Sequence, residues 1–158
     1  MSTFLLNVLL AIIWAASTGE ISLPNLALGY VLAFFILWLI QPVIGEKGAY
    51  VTKVARIISF AFYVLYHLIL ANLRVVRHVL SPIGQLRPGI VLIPLDAKSD
   101  EEIILLANVL TLMPGTLSLD VSDDRTHLYV HAMQISDREG FEYWIKDGLE
   151  RRILRLLR

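Results

Sequence analysis

The sequence predicts a membrane protein: an α-helical N-terminal hairpin joined to a cytoplasmic α+β domain of order β-α-β-β-α, with a small mixed sheet and helices on one face. Three observations carry this fold class. The 158 residues are 56% hydrophobic with a mean hydropathy of +0.65, whereas soluble domains average about 45–50% apolar. The apolar residues crowd the first half, where Phe4–Ala16 and Leu26–Ile40 contain no charged side chain. After residue 88 the texture changes to short alternating runs separated by turn residues. The expected domains are 1–45, a transmembrane helical hairpin; 46–88, an amphipathic or third membrane helix with a linker; and 89–158, the α+β domain.

The formal net charge of zero hides an asymmetry. Residues 1–89 hold six Lys/Arg against two acids, a net of +4, and residues 90–158 hold the other eight basic and twelve acidic groups, a net of −4. No lysine-rich face tracks phosphates, so a nucleic-acid partner is not expected. Cysteine is absent, which removes disulfides, thiolate catalysis and Cys-based metal sites.

Segments 2–18 and 23–44 are both adequate spans, the first barely, since crossing takes about 20 residues at 1.5 Å each. Gly19 ends the first. Ser22 and Pro24 suit the start of the second, because proline lacks only an N–H that has no partner in a first turn. The connection at 17–24 carries no Lys or Arg, while Lys47, Lys53 and Arg56 follow the second segment. The positive-inside rule then puts the connection outside and residues 45–56 in the cytoplasm. The start MSTFLLNVLL lacks a basic n-region, so a cleaved signal peptide is not expected. Ala11/Ala15 and Gly29/Ala33 are small residues spaced four apart, which lets helices approach closely in this hairpin or against a neighbouring protein.

Residues 50–80 form a third segment with Lys53, Arg56, Phe60, Tyr63, His67, Arg74 and Arg77 near one helical stripe. Two readings stand: an amphipathic helix in the cytoplasmic interface with snorkelling cations, or a third span with its stripe against a partner. Both flanks are basic, which favours the interface. Arg56, His67, Arg74 and Arg77, with Gly29 and Ala33, are the candidate partner or lipid contacts.

Ser81-Pro82-Ile83-Gly84 and Arg87-Pro88-Gly89 punctuate the boundary. GIVLIPLDA (89–97) reads as a strand. Ser99-Asp100-Glu101-Glu102 is a capping box opening a helix to about Leu112, apolar on nearly all sides, whose outer side is expected to meet membrane or protein. Thr116–Ser122 and His127–Met133 alternate as strands, joined by SDDRT as a hairpin loop. A second box, Ser136-Asp137-Arg138-Glu139, starts a last helix whose face of Phe141, Trp144, Ile145, Leu149, Ile153 and Leu156 is expected to cover the sheet.

The apolar run from Ile103 onward is long enough to raise a further span. A helix through it has to carry Pro114-Gly115, where the proline costs about 3 kcal/mol and the glycine about 1 kcal/mol. The period after them is two, so the run reads as helix, turn and strand.

Ion pathways need ionisable groups inside spans, and segments 2–18 and 23–44 hold no Asp, Glu, Lys, Arg or His. Transport by this chain alone is not expected. DVSDDRTHLYVH gathers Asp120, Asp123, Asp124, His127 and His131. On a strand the two histidines stand about 13 Å apart, too far for one ion, and the run lacks the Gly and final Glu of a calcium loop. No metal, cofactor or catalytic constellation is expected; the aspartates read as turn formers.

The run LLANVLTLMPGTLSLDVSDDRTHLYVHAM resembles the MnhE/MrpE family, the E-type components of the multisubunit Na⁺/H⁺ antiporters of the Mrp (also Mnh or Pha) type. LGYVLAF and ANLRVVRHVL support the resemblance, which covers essentially the whole chain. It implies a non-catalytic accessory subunit of a bacterial plasma-membrane complex exchanging Na⁺ for protons, with the other subunits and the bilayer as partners. In that family the large subunits carry the transport pathways. The alternative is a ligand- or metal-sensing subunit acting through its cytoplasmic domain. Pro114, Gly115, Thr116, Asp120, Ser122, Asp123 and Asp124 match the family motif, and their expected role is structural.

Overall fold

The computed structural model describes residues 3–44, 49–80, 87–135 and 137–158. Two compact units emerge, Met1–Ala55 and Arg56–Arg158.

In the first unit α1 (Thr3–Thr18) and α2 (Leu23–Ile44) pair as a hairpin. Its turn rests on Gly19 at φ +72°, a left-handed conformation that glycine adopts without a Cβ clash. Ala11, Ala15, Ala33 and Leu37 are buried along the seam, while Leu9, Ile12, Phe35, Ile36 and Leu39 point outward. That pattern, small inside and large outside, is inverted for water and suits lipid. Leu23–Ile40 is long and apolar enough to cross a bilayer, as is Tyr50–Val79; α1, at 16 residues, is shorter.

The second unit takes most of α3 (Ala49–Val79), then β1 (Gly89–Pro94), α4 (Asp100–Leu112), β2 (Thr116–Val121) and β3 (His127–Ala132). It ends in α5 (Arg138–Tyr143), a π-helical stretch (Trp144–Glu150) and α6 (Arg151–Leu157), which follow one another without a break. The sheet order is β1-β3-β2 and both ladders are antiparallel. This corrects the expected mixed sheet. β3 inserts between β1 and β2, so the two strands joined through α4 run parallel but never pair. The register explains the choice: Val91 lies opposite Val130 and Ile93 opposite Leu128, and all four are buried.

The core joins these residues to Leu106, Val109 and Leu110 of α4 and to Ile145, Leu149 and Ile153. In a pure α-helix residues four apart drift about 40° per step; the wider π turn takes up that drift, and all three C-terminal residues are fully buried. Ala71 belongs to the same core, with Phe60, Tyr63 and Val64 packed against it. α3 from Arg56 onward is thus a wall of the α+β unit.

Three further differences are local. Thr116 and Ser118 face the helices while Leu117 and Leu119 lie exposed on the far side, and a register shift between Ser118 and Asp120 brings Val121 opposite Leu128. Of the apolar side chains of α4 only Ile104 and Leu112 stay exposed, at 57% and 59%. The last helix is capped by Asp137, whose side chain accepts from the Gly140 N–H; Ser136, expected to cap it, lies outside the described residues, as do Gly45 and Ser81–Gly84.

Candidate functional site

The motif residues 114–116 form a helix stop. Pro114 cannot continue α4, and Gly115 sits at φ +90°. The Thr116 hydroxyl donates to the carbonyls of Leu110 (2.7 Å) and Met113 (3.0 Å), which also accept the Met113 and Thr116 N–H groups, so the helix end is doubly tied. Met133 N–H donates to Gly115 O at 2.9 Å. The Ser118 hydroxyl continues the seam by donating to Ala107 O at 3.1 Å. The polar side of β2 is thus spent on α4.

Of the DVSDD residues, Asp120 and Val121 close β2, and Ser122, Asp123 and Asp124 enter the β2–β3 turn. Asp124 Oδ1 accepts from the Ser122 hydroxyl (2.6 Å), the Thr126 hydroxyl (2.8 Å) and the Thr126 N–H (3.2 Å). These bonds, Ser122 first, hold its carboxyl at about 2. Ser122 Oγ also accepts from His127 N–H at 2.9 Å, and Asp120 accepts from Val121 N–H at 2.8 Å. Asp120 and Asp123 are exposed, and with Tyr129 they line a shallow open concavity. Among the described residues no three His, Asp or Glu side chains converge as metal ligands.

Two buried carboxylates lock the unit, and the sequence alone points to neither lock. Glu102 completes the Ser99 capping box and also takes a fork from Arg158, at 2.8 and 3.1 Å. Glu150 accepts from the N–H groups of Asp96 (2.7 Å) and Ala97 (2.8 Å) and pairs with Lys146 at 3.0 Å. Lys146 bridges on to Asp96 at 2.7 Å. The capping motif is visible in the sequence; partners more than 50 residues away are not.

In the hairpin, Gly29 lies where an added Cβ meets Trp14 and the Ala11 carbonyl at 2.8–3.1 Å, so the small residues serve the α1–α2 contact itself. Asn7, fully buried, donates to the Tyr50 hydroxyl at 3.0 Å, which meets the Tyr30 hydroxyl at 2.8 Å. A lone amide in an apolar helix was the available signal for this cluster. On α3, Arg56 donates to Arg155 O at 3.0 Å, and His67 packs among Tyr63, Tyr66 and Trp144. Arg74 and Arg77 are exposed.

A family model described as MNHE, Na⁺/H⁺ ion antiporter subunit, matches residues 7–156. The chain belongs to this family. Among MNHE relatives, the E-type Na⁺/H⁺ antiporter component of Alkalihalophilus pseudofirmus is 37% identical, covering 95% of this chain and 94% of its own. The E-type component of Bacillus subtilis is 38% identical over 94% of each. A chain in the Mrp complex from Dietzia sp. matches with TM-score 0.51 and 29% identity, covering 65% of this chain and 96% of that one. A chain of the membrane-bound sulfane sulfur reductase, an archaeal respiratory membrane complex, matches with TM-score 0.59 and 26% identity over 97% and 98%.

Proposed function

We propose that this MNHE chain is a non-catalytic accessory subunit of a multisubunit Na⁺/H⁺ antiporter in a bacterial plasma membrane. It acts by binding the other subunits and is needed for assembly or activity of the complex. The family match over residues 7–156 carries the reading. The hairpin supports the accessory role: α1 and α2 hold no acidic, basic or histidine side chain, and a cation or proton relay needs such groups. α1 and α2 cross the bilayer with their connection outside, and the α+β unit lies in the cytoplasm, as the Lys and Arg that follow α2 favour. The 114–116 turn and the DVSDD turn are structural, since Thr116, Ser122 and Asp124 spend their polar atoms on the backbone and side chains of their own turns.

Deleting the chain from cells that carry the complex lowers both the yield of intact complex and Na⁺ tolerance. Purified chain alone in liposomes exchanges no Na⁺ for H⁺; exchange by the isolated chain overturns the reading.

A further inference from the structure

The polarity of α3 is arranged the wrong way round for water. Its polar stripe faces the α+β unit: Arg56 donates to Arg155 O at 3.0 Å, and the Arg152 guanidinium lies 4.2 Å from the centre of the Tyr63 ring. His67 stacks 5.7 Å from Trp144, and Ala71 enters the core. The opposite side presents Ile58, Phe62, Leu65, Ile69, Leu73 and Val76, each at least 50% exposed. These six recur at spacings of three and four, a continuous apolar stripe on one face. A stripe of this size left open on a helix needs an apolar cover.

Crossing the bilayer does not supply that cover, although Tyr50–Val79 has the length and hydropathy to cross. The α3 face at Arg56–His67 is docked on the helix that carries Lys146, Asp147, Arg151, Arg152 and Arg155. Sinking α3 upright into hydrocarbon takes those charges with it, and charges there are strongly disfavoured. Lying flat removes the conflict. The apolar stripe then meets acyl chains, and the docked unit stays in water. Charge points the same way: α3 carries Lys53, Arg56, Arg74 and Arg77 and no acidic residue, which favours anionic head groups. Continuity does too, since α3 begins at Ala49, five residues after α2 ends at Ile44.

We infer that α3 is an in-plane membrane helix, its Ile58–Val76 stripe sunk in the cytoplasmic leaflet and its polar face carrying the α+β unit on the bilayer surface. The inference rests on the reading of α1 and α2 as the membrane anchor.

The chain contains no cysteine, so single labels can be introduced directly. Nitroxides are placed by Ile58→Cys, Phe62→Cys, Leu65→Cys, Ile69→Cys and Leu73→Cys, each in the full complex reconstituted in phosphatidylglycerol-containing vesicles. These positions are exposed, and the yield of complex checks that each variant folds. Collisions with oxygen and with a water-soluble nickel chelate report depth. All five labels are expected to show a several-fold excess of oxygen over nickel collisions, at one shared shallow depth. A depth that passes through a maximum mid-helix makes α3 a span and overturns the inference. Low collision rates with both reagents, the mark of a protein cover, overturn it, as do nickel-dominated collisions. A Phe35→Cys label in α2 separates the two readings: exposure of that site to nickel overturns the anchor, whereas an oxygen-rich Phe35 beside failing α3 labels overturns the in-plane helix alone.

Discussion

Glu102 shows how much one side chain carries here. It lies in the first turn of α4, closes the capping box, and is the only described carboxylate to take a fork from Arg158. The Arg158 hydrogen bonds first, then the Lys98 N–H, lower its pKa from 4.5 to about 2. A carboxyl whose folded pKa is depressed contributes stability that is complete above the unfolded value and is lost as pH falls through the folded one. The window here runs from about 4.5 down to about 2. Arg158 is half exposed, so water screens part of the pair. Glu102→Gln is therefore expected to lower stability near neutral pH by about 1–2 kcal/mol and to flatten the acid limb of the stability curve. Urea midpoints measured between pH 2 and 7 check both effects. The sequence made half of this legible: Ser99-x-x-Glu102 announces a cap, but nothing local announces a partner 56 residues on. The same holds for Glu150, whose sequence neighbours give no hint that it receives the Asp96 and Ala97 N–H groups.

At the level of elements, period and turn chemistry told most of the story. Both ends of α4 could be read directly, from the Ser99 cap and from Pro114-Gly115. At Gly115 an added Cβ meets only ordinary contacts, 3.8 Å from Met133 and Val75. The obstacle is the backbone, held at φ +90°. Gly115→Ala is expected to cost about 1–2 kcal/mol without disturbing packing, so thermal unfolding should begin earlier while the folded-state tryptophan spectrum stays unchanged. Elsewhere alternation left the choice of face open. Thr116 and Ser118 share one face and Leu117 and Leu119 the other; the polar pair meets α4, which leaves both leucines exposed, and the register shift after Ser118 then brings Val121 opposite Leu128. Strand pairing is long-range, so alternation assigns two faces without saying which one a helix will cover. The π stretch was equally silent. It follows from aligning Ile145, Leu149 and Ile153 in one row over the sheet, a demand set by β1 and β3 and not by residues 144–150 themselves.

The placement of α3 matters most for the molecule as a whole. Composition and the Pro- and Gly-rich stretch near residue 88 place the expected domain boundary there, with the helix of 99–112 still needing a cover from outside 89–158. Packing ties α3 to that unit, because Ala71 is part of the core and Phe60, Tyr63 and Val64 rest against it. Removing α3 uncovers core side chains that each contribute about 1.5–3 kcal/mol when fully buried, and proportionately less when half-buried. The loss sums to several kcal/mol, a large share of the 5–15 kcal/mol that holds a typical domain together. Two fragments separate the alternatives, both prepared in mild detergent so that the Ile58–Val76 stripe stays covered. Residues 56–158 are expected to unfold cooperatively in urea. Residues 87–158 should unfold at far lower urea or bind a hydrophobic dye without any denaturant, the behaviour of a core opened to solvent. Equal urea midpoints for the two fragments would make α3 an appendage and return the domain boundary to residue 88. A cooperative 56–158 beside a molten 87–158 makes α3 structural on its polar side, so that one helix serves the domain core with one face and leaves the other for a different apolar surface.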